Sequence, residues 1–252
     1  MSEPTSHRWT ASDGVELAYD EVGQGRPVVL LHGLFSSARV NWIKFGHAAK
    51  LAAAGRRVIM PDLRAHGDSA APHDPAHYPD GILGRDLEEL VAHLGLTDYD
   101  LGGFSLGART TVQGIGEGLK PARAVLAGMG LEGLTGWLAR KHFFVDAIAK
   151  FDSSSRGDQH WLAIQFMKTM KVDRVAAALL LPTFTDAHPE WLANFTMPTL
   201  VLCGTEDSDN GSAPNLVAAL PAATLASVPG THMSSVTKPE FGDALATFLA
   251  PA

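Results

Sequence analysis

The sequence has a single cysteine, Cys203, among 252 residues. An intramolecular disulfide is therefore excluded, and so is a zinc site built on several thiolates. Charge is also sparse, at 19%, and there is no basic excess: 20 Lys and Arg stand against 27 Asp and Glu, for a net charge of −7. Without a basic field to neutralise phosphates, nucleic acid is not expected as a partner. Long apolar runs are missing too. The longest, Val175 to Pro182, is less than half of the roughly 18 residues a membrane helix needs, so no membrane partner is expected. The polar start, Met1 to Arg8, lacks the apolar stretch of a secretory signal, which leaves a cytoplasmic protein as the expectation. What is present suffices for a large core. Hydrophobic residues make up 46% of the chain, which excludes the low-hydrophobicity composition of a disordered chain.

The beginning reads as a hairpin, with strands over 8–11 and 15–19 around Ser12-Asp13-Gly14, since Asp-Gly favours a tight turn. Val28-Val29-Leu30-Leu31 is a short unbroken apolar run, as expected for a strand covered on both faces. From there helical and strand patterns alternate. Helices are expected over 41–54, 80–94, 106–119, 214–220 and 238–249, and strands over 57–60, 99–103, 124–127, 199–203 and 224–228. Parallel pairing follows, because a crossover helix returns the chain in the same direction. The fold class is α/β, a mostly parallel sheet flanked by helices.

One stretch breaks this rhythm. Between 131 and 196 there are helical patterns over 133–151, 159–170 and 173–181 but no convincing strand. We read residues 1–130 and 197–252 as the α/β core and 131–196 as an inserted helical cap.

Gly103-Phe104-Ser105-Leu106-Gly107 lies between an expected strand and an expected helix. Such a sharp turn admits only glycine beside the serine and pushes the Ser105 hydroxyl out at the carboxyl end of the sheet. A serine hydroxyl needs a base, and the base needs an orienting acid. Asp207 and His232 each follow an expected strand, and residues just beyond parallel strand ends converge on one edge. Ser105 is thus the candidate nucleophile, His232 the general base and acid, and Asp207 the orienting acid. His32-Gly33-Leu34-Phe35 follows another strand. The N–H groups of Leu34 and Leu106 are the candidates for stabilising the oxyanion, with His32 holding the loop.

These segments, together with Asp62-Leu63-Arg64-Ala65-His66-Gly67-Asp68-Ser69 and the order Ser, Asp, His, resemble the α/β-hydrolase fold superfamily over nearly the whole chain. The resemblance implies an eight-stranded sheet, a helical cap after the sixth strand, and acyl transfer without a metal or cofactor. Ala65 departs from the pattern, where the family usually has glycine. Serine at the elbow points away from the haloalkane dehalogenases and epoxide hydrolases of this fold, which place aspartate there. It leaves esters, lactones, thioesters, activated amides or a β-diketone C–C bond, and cofactor-free haloperoxidases also carry a serine elbow.

Rival readings are the bland ones. Glu206, Asp209 and Glu132 are alternative acids read as loop carboxylates. His73 and His77 lie in a proline-broken loop without a third metal ligand, and Cys203 is a buried strand-end residue with no adjoining histidine. Phe35, Phe104, Trp137, Trp161 and Met233 are the pocket candidates. The cap's charges are balanced, with no arginine cluster, so a neutral, apolar substrate is expected. The resulting expectation is a serine carboxylester hydrolase acting on a small-molecule ester. A C–C bond or lactone hydrolase with the same triad, or a small-molecule receptor with slow turnover, remains as the alternative.

Overall fold

The computed structural model describes residues 3–250, so the outermost residues of the expected core, 1–2 and 251–252, lie outside it. Eight strands, β1 (Thr5–Thr10), β2 (Glu16–Val22), β3 (Arg26–Leu31), β4 (Arg56–Pro61), β5 (Asp100–Phe104), β6 (Ala124–Ala127), β7 (Thr199–Gly204) and β8 (Ala223–Val228), form one sheet. Their order is β1-β2-β4-β3-β5-β6-β7-β8. β2 runs antiparallel to β1 and β4, and every other pairing is parallel. The sheet is thus mostly parallel, with an antiparallel start at one edge.

Alternation along the buried strands sends successive side chains to opposite faces. Val29 and Leu31 of β3 join Ile59, Leu101, Leu126 and Val201 in one apolar layer. Val28 and Leu30 join Val58, Met60, Val125 and Leu202 in the other. The first layer is covered by α2 (Ile82–His93), α3 (Leu106–Glu117) and the helices of 131–196. The second is covered by α1 (His47–Ala53) and α11 (Pro239–Phe248), with Trp42 and Phe241 of α11 fully buried in it.

Between β6 and β7 lie α4 (Leu131–Thr135), α5 (Trp137–Ala149), α6 (Trp161–Thr169), α7 (Arg174–Leu180) and α8 (Pro189–Ala193). α9 (Ala213–Ala219) and the one-turn α10 (His232–Ser235) complete the helices. Among the described residues no helix is long and apolar enough to cross a membrane.

Two expected helices are each divided. The pattern over 41–54 becomes a π-helical turn at Arg39–Ile43 and then α1, because Gly46 takes φ +79° between them. The pattern over 133–151 is cut at Gly136. There the Asp186 carboxylate accepts from the Trp137 N–H at 2.6 Å and so caps a new helix start. α8 and α10, each five residues or fewer, carry too little periodicity to be read from sequence.

Candidate active site

Ser105 stands at the join of β5 and α3 with φ 54° and ψ −109°, a conformation held by its neighbours. A Cβ on Gly103 would lie 2.3 Å from the Gly107 carbonyl carbon, and one on Gly107 would lie 2.2 Å from the Leu31 oxygen. Only glycine lets β3, β5 and α3 approach so closely. The Ser105 N–H donates to the Ala127 oxygen at 2.8 Å, which fastens the turn to β6.

The carboxyl ends of β7 and β8 deliver the other two residues. His232 Nδ1 is 2.9 Å from Asp207 Oδ2, and His232 Nε2 is 3.1 Å from Ser105 Oγ. An ionised carboxylate only accepts, so Nδ1 carries the hydrogen and Nε2 presents its lone pair to the serine hydroxyl. Thr231 caps α10 through a reciprocal pair of contacts with Ser234, and this fixes His232 at the first position of the turn. The structure therefore brings Ser105, His232 and Asp207 into one hydrogen-bonded line.

The loop after β3 lies against the serine: a Cβ on Gly33 would be 3.6 Å from Ser105 Cβ. The Gly33 N–H donates to Asn41 Oδ1 at 3.1 Å, and Phe35 adopts φ +59°. Among the described residues the N–H groups of Leu34 and Leu106 have no acceptor. Leu106 opens α3, where the first N–H groups are unpaired within the helix and carry partial positive charge. Both candidate oxyanion donors thus flank Ser105 unpaired.

His32 supports this loop from inside. Its Nδ1 donates to the Gly33 oxygen at 2.8 Å and its Nε2 accepts from the Leu63 N–H at 3.0 Å. Burial, with a further contribution from His66, lowers its pKa to about 3, so it stays neutral. Asp62 ties the same region together by accepting from the N–H groups of Ala38 at 2.7 Å and Asp68 at 2.8 Å. Burial outweighs these bonds and raises its pKa to about 6.

The rival residues go elsewhere. Glu132 accepts from the Ser212 N–H at 2.6 Å at the start of α9. Glu206 is exposed, and Asp209 borders the cavity without reaching His232. His73 pairs with Asp173, and His77 lies beside Asp13. Burial raises the Cys203 thiol to about 11, and its Sγ contacts the Met129 oxygen at 3.5 Å.

A cavity of about 820 Å³ opens over Ser105 between the sheet edge and the 131–196 helices. That size suits a small or medium organic molecule. Phe35, Phe104, Trp137 and Met233 line it as expected pocket residues. Trp161 does not. α6 turns Leu162, Ala163 and Phe166 to the cavity, and Trp161, about 100° around the helix from Leu162, faces away. Sequence reasoning missed Asn41, Lys44, Arg109, Arg140 and Asn210, which also line it. Only Arg109 carried a local signal, since it lies one helical turn after Ser105.

The α/β hydrolase fold family matches residues 26–113. A non-heme haloperoxidase from Rhodococcus erythropolis is 39% identical over 127 residues, 47% of this chain and 42% of that protein. The match thus spans about two fifths of that relative's length. An esterase from Exiguobacterium antarcticum superposes with a TM-score of 0.77 at 18% identity, covering 97% of this chain and 99% of that one. An esterase from Rhodococcus sp. does so at 0.71 and 26% identity, covering 96% and 98%. The chain thus has the α/β-hydrolase fold.

Proposed function

We propose that this protein is a serine hydrolase cleaving carboxylic esters of small to medium size through an acyl-enzyme. The observation that carries the reading is the continuous line from Asp207 through His232 to Ser105, at 2.9 and 3.1 Å, beneath a cavity of about 820 Å³.

Ser105 Oγ attacks the ester carbonyl as its proton passes to His232 Nε2, and Asp207 stabilises the imidazolium that forms. Negative charge developing on the carbonyl oxygen is met by the N–H groups of Leu34 and Leu106. The carbonyl re-forms, the C–O bond breaks, and His232 returns the proton to the departing alkoxide. Water then attacks the acyl-serine with His232 as base, releasing the acid and restoring Ser105. The 131–196 helices serve as the cap that closes over the acyl and alcohol groups. Serine at the elbow separates this chain from the aspartate-nucleophile branch of the fold.

The test is hydrolysis of short p-nitrophenyl esters by the natural protein and by Ser105→Ala and His232→Ala. Each replacement is expected to lower kcat by about 10⁶-fold if the three residues act as a unit. Undiminished turnover in both variants would overturn the reading.

A further inference from the structure

The 131–196 segment alone shows no group of arginines, but folding changes the inventory. The cavity wall carries Lys44, Arg109 and Arg140 against a single carboxylate, Asp209, in a chain whose net charge is −7. None of these three cations forms an ion pair among the described residues; the polar partners of Arg109 and Arg140 are neutral oxygens.

Arg109 is 9% exposed and is held from behind. It donates to the Gly133 oxygen and, at 2.6 Å, to the Thr185 oxygen, and its guanidinium carbon is 5.5 Å from the centre of the Trp137 ring. Burial lowers its pKa to about 10; the charge of Arg140 adds to the effect and Asp186 opposes it. Arg140, on α5, is half-buried and donates to Asn210 Oδ1 at 2.5 Å, its one protein acceptor among the described residues. Burial lowers its pKa as well, against the pull of Asp209 and Asp207. Trp137 is 5% exposed and leaves its Nε1–H buried without an acceptor.

Two guanidiniums within electrostatic reach of each other, both partly stripped of water, repel and are poorly solvated. One anion in the cavity relieves that repulsion and supplies the missing solvation. The planar fork of a guanidinium matches a carboxylate. The remaining walls, Phe35, Phe143, Phe144 and Phe166, are apolar.

We infer that the substrate carries a carboxylate besides its scissile bond, and that Arg140 binds it directly while Arg109 supplies the field behind. Such a substrate is an acid-bearing ester or lactone with an apolar body. With the carboxylate on the acyl side, hydrolysis yields a dicarboxylic acid; on the alcohol side, it yields a hydroxy acid. The inference rests on the acyl-transfer reading above, so its test includes an arm that needs no turnover.

In the first arm, matched acidic and neutral esters are compared: p-nitrophenyl hydrogen glutarate with p-nitrophenyl valerate, and acetoxybenzoate with phenyl acetate. The natural protein is expected to favour the acidic member of at least one pair. Arg140→Leu is expected to lower the acidic-to-neutral ratio of kcat/KM by about ten- to a hundredfold, chiefly through KM, and Arg140→Lys to restore part of it. Arg140→Gln serves if the leucine variant does not fold. In the second arm, calorimetry compares phenylbutyrate with phenylbutyramide on Ser105→Ala, with and without Arg140→Leu. Preference for the acid is expected with Arg140 present and is lost without it. Equal binding of acid and amide by Ser105→Ala, or a preference that survives Arg140→Leu, overturns the inference. Absence of ester hydrolysis with the binding preference intact overturns the catalytic reading and leaves the anion site standing.

Discussion

At the scale of single residues, two of the four non-glycine residues with positive φ among the described residues lie at the candidate site. Ser105 and Phe35, with φ of +54° and +59°, both line the cavity over the proposed nucleophile. Ala65 has φ +64° as well, yet it lies in the loop after β4, outside the cavity lining. A left-handed alanine costs about 1–2 kcal/mol, part of which glycine recovers after its larger entropy loss on folding. Ala65→Gly is therefore expected to stabilise the protein by up to about 1 kcal/mol, a rise of about 2–4 °C in Tm. Scanning calorimetry checks this, and a lowered Tm would contradict it. The resemblance had marked Ala65 as a departure; the dihedral angle supplies its physical consequence. Asn41 shows the opposite case. Its amide holds the Gly33 N–H, and nothing in the sequence distinguishes it from a polar residue on an ordinary helix.

At the scale of elements, short-range patterns located the strands and the long helices, while long-range contacts divided them. α5 begins where it does because Asp186, far along the chain, accepts from the N–H groups of Trp137 and Leu138. Asp186→Ala is expected to cost about 1 kcal/mol, the usual value of a helix cap. Hydrogen exchange should show the amides of Trp137 and Leu138 losing protection first, and unchanged exchange there would refute the capping role. The elbow is less forgiving. Gly107→Ala drives a methyl to 2.2 Å from the Leu31 oxygen, so α3 must move away from β3. A loss of at least about 2–3 kcal/mol is expected, in the range of overpacked cores, measured by urea unfolding.

At the scale of the whole molecule, the buried histidines set a pH response. His66 is buried; its Nδ1 donates to the Arg64 oxygen at 2.9 Å while Nε2 has no partner, and burial lowers its pKa to about 4. The unfolded chain takes up this proton near pH 6.5, whereas the folded chain refuses it until about pH 4. Its contribution to stability is therefore complete above pH 6.5 and is lost as the pH falls through that window, by about 1.4 kcal/mol per pH unit. His66→Asn keeps a donor towards Arg64 without a titrating ring. Its stability should depend less steeply on pH between 6.5 and 4 than that of the natural protein. Parallel denaturation curves across that range check the sign, and an equal slope in both proteins would refute it.

The sequence by itself determined the α/β alternation, the elbow at Ser105 and the ends of the strands from which Asp207 and His232 project. Each of these depends on local periodicity or on a residue type that only one backbone geometry accepts. The tertiary structure alone decided what surrounds them. Trp161 turned away because helix phase follows the docking of α6, and the break at Gly136 required a carboxylate from a distant loop. The cavity's positive wall is the clearest instance. Arg109 belongs to α3 and Arg140 to α5, so neither composition nor spacing could show that the two guanidiniums share one wall. The scarcity of charge along the chain concealed its local excess where α3 and α5 border the cavity over Ser105.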